Sequence, residues 1–167
     1  MKLIKIVTLL LISAALTSTS HEYDWRTNYL PVLLSRDDLQ KSIEIQSAKD
    51  FNQPAKVYLY DQTVFIVEKF EGIHVIDNSN PEDPKKTGFI RIPGCTDVAV
   101  KDEVLFSDNA VDLVSIDIAS FPEIKELDRF RDVFPEHTPP DLDYIPSKFS
   151  SRLRPQNTVI TKWEKIE

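Results

Sequence analysis

Acidic side chains at the ends of apolar runs are the first residues in this chain whose placement suggests chemistry. Asp77 closes the run Ile73-His74-Val75-Ile76, and Asp117 closes Leu113-Val114-Ser115-Ile116. A carboxylate there can accept hydrogen bonds from the backbone N–H groups of the turn that follows, so both aspartates are expected to shape turns. Beyond the first of them, Asp77, Asn80, Glu82 and Asp83, with Asn78 and Ser79 between, offer the hard oxygen ligands that calcium takes. The stretch is not an EF-hand loop, because Pro81 and Pro84 stiffen it and the glycine and terminal glutamate of that loop are missing. A plain turn is therefore the expectation, with calcium as the competing reading.

Other chemistries find less support. A glycosidase needs two carboxylates facing each other across a cleft; Asp108, Asp112, Asp141 and Asp143 are available among 27 acidic residues. Acyl transfer from a G-x-S-x-G elbow and phosphate-cradling glycine loops are both absent, since the chain has only Gly72, Gly88 and Gly94. His21, His74 and His137 do not share a spacing that would build a zinc site. His74, set between Ile73 and Val75, is expected to point away from the face they share and to be exposed. Cys95 has only Arg91 nearby to activate it and reads as a small, partly buried packing residue. Lys148, Arg152 and Arg154 with Phe149 form a basic patch with an aromatic, in a loop where binding residues often lie. No cofactor is implied, and no residue is assigned a catalytic role.

The elements that must position these residues are bounded by composition. The 167 residues are 41% hydrophobic and 28% charged, with a net charge of -7, an ordinary globular composition with room for one domain. Residues 1–20 have the layout of a secretory signal peptide: Lys2 and Lys5, an apolar stretch from Ile6 to Leu16, then Thr17 to Ser20. The apolar run falls well short of the roughly 20 residues that span a bilayer, so no transmembrane anchor is expected in the mature chain. No cysteine follows the run to carry a lipid. Removal of the leader leaves 18 basic and 27 acidic residues, a charge of -9 that repels nucleic acid and anionic membranes. An extracytoplasmic location follows: periplasm, cell surface or secreted. One cysteine makes no internal disulfide, so the core must hold the fold alone.

The organisation is all-β. Residues 21–54 form an extension with a short helical turn, signalled by Ser35 and Asp38 at capping-box spacing, and a strand near Ser42 to Gln46. Lys56–Tyr60, Val64–Val67, Ile73–Asp77 and Gly88–Ile92 are β-branched and aromatic runs divided by turn formers, one antiparallel meander. The pattern recurs at a shift of forty positions: Val64-Phe65-Ile66 returns as Val104-Leu105-Phe106, and Ile73 to Asp77 as Leu113 to Asp117. Residues 55–134 thus read as two four-stranded, blade-like repeats of a partial β-propeller. Residues 135–156, with five prolines, read as a long loop, and 157–167 as a final strand that covers a sheet edge.

The two pentapeptides resemble copies of the LVIVD repeat of exported bacterial proteins, with His74 and Ser115 departing from its apolar pattern. Gly72 to Pro81, Ile92-Pro93-Gly94 and Asp97 to Val100 are similar to stretches around that repeat in members from Bacteroidota, over residues 55 to 122. The resemblance implies a propeller-like fold and an extracytoplasmic place, and supplies no catalytic residues. Related chains tend to be longer, so the chain looks like the N-terminal part of such a protein. Two blades cannot close a ring, and their open edges invite a homo-oligomer. The function that follows is a non-catalytic module that binds a protein or glycan. The alternative is a carboxylate-dependent glycan hydrolase or lyase on the same fold.

Overall fold

The computed structural model describes residues 27–167. Residues 1–20, expected to form a leader, and His21 lie outside the described residues. The described chain is all-β, in three antiparallel sheets.

The extension begins with a strand not read from the sequence, β1 (Tyr29–Ser35), whose Pro31 and lack of strict alternation hide it. Ser35 then caps a one-turn helix, α1 (Arg36–Gln40). The Ser35 Oγ accepts from the Asp38 N–H at 3.0 Å, the capping bond expected of that spacing, and donates to the Asp38 carboxylate at 2.6 Å. The strand β2 (Glu44–Gln46) follows.

The first repeat is the meander β3 (Pro54–Tyr60), β4 (Thr63–Glu68), β5 (Gly72–Asp77) and β6 (Lys85–Arg91), with β2 added beyond β6 as a fifth strand. The second is β7 (Val98–Lys101), β8 (Val104–Asn109), β9 (Asp112–Asp117) and β10 (Lys125–Phe130). The last strand, β11 (Thr158–Lys165), covers no edge of either repeat; it pairs with β1 in a separate two-stranded ribbon.

The repeats are related by more than one shift. From Thr63–Glu68 to Val104–Asn109 the shift is 41 positions, and from Gly72–Asp77 to Asp112–Asp117 it is 40. Residues 69–71 join β4 to β5, whereas only 110–111 join β8 to β9, and this missing residue accounts for the difference. Asp61 and Asp102, also 41 apart, both adopt positive φ in the tight turns that open the hairpins. Successive strand residues point to opposite faces, so a slip of one residue exchanges the faces. Leu105 therefore occupies the place of Val64, and Phe106 that of Phe65, instead of the pairing that a uniform shift of forty gives.

The two sheets face each other across one apolar core. Phe65, Val67, Ile73, Val75 and Ile90 from the first meet Val98, Val100, Leu105, Val114 and Ile116 from the second. The corresponding strands present opposite faces to this core, as successive blades do. The innermost strands β3 and β7 lie closest: Tyr58 Oη donates to the Val100 carbonyl at 3.1 Å, and Lys56 pairs with Asp97. Burying a Leu- or Ile-sized side chain in such a core contributes about 1.5–3 kcal/mol. Gly94 fixes the turn between the sheets. Its φ is +81°, and a Cβ there would stand 2.6 Å from the Ala110 Cα.

The outer face of the first sheet is crossed by residues 47–53 on their way from β2 at one edge to β3 at the other. Arg36 and Arg129 both bind the buried Asp112, at 2.8 and 3.1 Å, which ties the α1 segment to the second repeat.

Candidate functional site

An apolar concavity lies on the outer face of the second sheet, with a volume of about 440 Å³. Ala99, Phe106 and Leu113 form its floor, and Phe134 and Pro135 one wall. Asp108 builds one rim from β8. Its carboxylate accepts from the Thr96 N–H at 2.8 Å, the Asp97 N–H at 2.8 Å and the Thr96 hydroxyl at 2.6 Å, fixing the chain as it enters β7. Lys56 and Asp97 pair at the mouth.

His137 anchors the wall that Phe134 and Pro135 form. Its Nε2 lies 3.1 Å from the Gly94 carbonyl, its ring 4.9 Å from Phe70, and its own carbonyl accepts from the Trp163 indole at 2.8 Å. The backbone N–H of Phe134 donates to the Val111 carbonyl at 2.9 Å. The proline-rich segment is thereby held against both the ribbon and the second sheet. The cleft is apolar and aromatic below, with one ion pair at its entrance, a surface suited to binding an extended or flat apolar group.

The other candidate carboxylates are engaged elsewhere. Asp112 is buried beneath Arg36 and Arg129 and also accepts from the Asp132 N–H at 3.1 Å. Asp141 accepts from the Thr27 hydroxyl at 2.7 Å and the Asn28 N–H at 2.8 Å, and these bonds hold its carboxyl below the usual range against its partial desolvation. Asp143 is exposed in the proline-rich segment. Cys95 is wholly buried; burial first and the Asp108 charge second push its thiol far up, so it stays protonated and inert.

Asp77 Oδ1 accepts from the Ser79 N–H at 2.9 Å, and Asp117 Oδ1 from the Ala119 N–H at 3.0 Å. Of the oxygen-rich set, Asn80 accepts from the Glu82 N–H at 3.2 Å and Asp83 pairs with Lys85 at 2.6 Å. Among the described residues no group of three or more His, Cys, Asp or Glu side chains is placed to share a metal ion.

His74 is not exposed. It does point to the outer face, away from Ile73 and Val75, but residues 47–53 cover that face and leave the side chain 1% accessible. Its Nε2 donates to Glu68 at 3.0 Å, between the rings of Phe51 and Phe89, while Nδ1 has no partner. Glu68, not singled out from the sequence, also accepts from the backbone N–H groups of Asn52 and Gln53. Burial acts to raise its pKa, and the bonds from Asn52, His74 and Gln53 together outweigh this and lower it. Of the basic patch, Lys148 Nζ lies over the Phe149 ring at 4.7 Å, and Phe149 packs edge-on to Trp163, whereas Arg154 is buried against Glu136 and donates to the Thr158 carbonyl at 2.9 Å.

No protein-family model, no curated protein and no solved structure matches the chain. Among the described residues no helix is long and apolar enough to cross a membrane.

Proposed function

We propose that this chain is an exported, non-catalytic binding module, a member of the LVIVD-repeat family acting outside the cytoplasm, that captures a protein segment or glycan on the outer face of its second sheet. The observation that carries the reading is the cleft over Ala99, Phe106 and Leu113, an apolar floor walled by Phe134 and Pro135. The engagement of Asp108, Asp112 and Asp141 in structural hydrogen bonds supports binding over carboxylate-driven hydrolysis. The exported location rests on residues 1–20, and the family on the recurring pentapeptides.

Hydrogen exchange of the full chain, with and without a solubilised bacterial envelope fraction, tests the reading, with release of reducing ends followed in parallel. Slowed exchange confined to residues 96–99, 106–113 and 134–137, without new reducing ends, is the expected result. Unchanged exchange there, or steady release of reducing ends that is lost in Asp108→Asn, would overturn it.

A further inference from the structure

We infer that two copies of this chain dock head to tail, the outer face of the second sheet in one copy seating on the outer face of the first sheet in the next. This rests on the binding reading above and names the partner as a second copy.

The internal contact between the sheets already shows both halves of the interface. Phe65 and Ile73 project from the first sheet into the second and are almost fully buried. Phe106 and Leu113 hold the equivalent positions one repeat on, and Phe106 is 38% exposed, with no sheet opposite among the described residues. The receiving half repeats as well. Val98, Val100 and Leu105, which share the buried cluster with Phe65 and Ile73, correspond to Val57, Leu59 and Val64 on the outer face of the first sheet. Val57 and Leu59 are each 62% exposed, whereas Val98 and Val100 are buried.

The described residues thus present two apolar faces that repeat the two halves of the contact made between the sheets. A head-to-tail contact uses different patches on the two copies, so it either closes into a ring or grows. The 47–53 crossing covers the β5–β6 part of the receiving face, where Phe51 lies on His74. The contact therefore runs through the β3–β4 half. That half corresponds to β7 and β8, and the internal interface is also closest at its inner strands, where Lys56 meets Asp97.

The test is a mixing experiment with the full chain and two surface variants, Leu59→Lys and Phe106→Asp, each checked for native circular dichroism. Light scattering of the unaltered chain from about 10 μM to about 1 mM should show mass rising beyond the monomer. Each variant alone should associate at least about tenfold more weakly. Mixed together they should recover a one-to-one pair, because one retains an intact projecting face and the other an intact receiving face. A monomeric unaltered chain, unchanged association in either variant, or no recovery on mixing would each overturn the inference. An envelope-induced exchange footprint on a strictly monomeric chain would overturn the self-docking alone and leave the binding reading standing.

Discussion

Glu68 shows what a single buried carboxylate does in this fold. It joins the 47–53 crossing to the sheet through Asn52, Gln53 and His74, and its pKa lies below the ordinary value of 4.5. Because the folded state lowers that value, its contribution is complete above about pH 4.5 and is lost as pH falls through the folded pKa. Glu68→Gln should lower stability at pH 7 by about 1–3 kcal/mol and flatten the acid limb, read from urea midpoints between neutral and acidic pH. An acid limb as steep as that of the unaltered chain would contradict this role. The strand periodicity around His74 reveals the face it points to but not what covers that face. The cover comes from residues 47–53, which carry no strand or helix period, so the pairing with Glu68 is decided only when the chain crosses the sheet. The aspartates at the strand ends were more legible, since an Asx turn needs only its own following residues.

At the level of elements, the four strands of the first meander follow from their β-branched and aromatic runs, the second set from the repeat, since β10 carries no β-branched residue, and α1 from its capping residues. The strand β1 is less visible. It contains Pro31 and is stabilised by β11, 129 positions away between Val32 and Thr161, where Thr161 Oγ1 donates to the Val32 carbonyl at 3.2 Å. No local pattern encodes such a distant partner. The turn at Gly94 carries a sharper expectation. With φ at +81° and Ala110 Cα 2.6 Å from any added Cβ, Gly94→Ala must strain the backbone and push the two sheets apart. The variant should lose at least about 1 kcal/mol, a drop of several degrees in Tm by calorimetry. An unchanged Tm would mean that the sheets can separate there at no cost.

For the whole molecule, the decisive feature is one residue missing between β8 and β9. The recurrence of apolar pentapeptides identifies two repeats, but a uniform shift of forty assigns Leu105 to the position of Phe65. The shorter loop sets the first hairpin of each repeat 41 apart, so Leu105 is buried between the sheets and Phe106 turns outward onto the cleft floor. Both the binding cleft and the docking faces depend on that orientation. Thiol labelling reads it directly in Leu105→Cys and Phe106→Cys variants, at about 1 μM to keep copies apart, with the buried Cys95 as internal control. The thiol at 106 should react in the native state at close to the rate of an exposed cysteine, while that at 105 should react only as fast as the chain unfolds. Fast labelling at 105 with protection at 106 would contradict the orientation of β8.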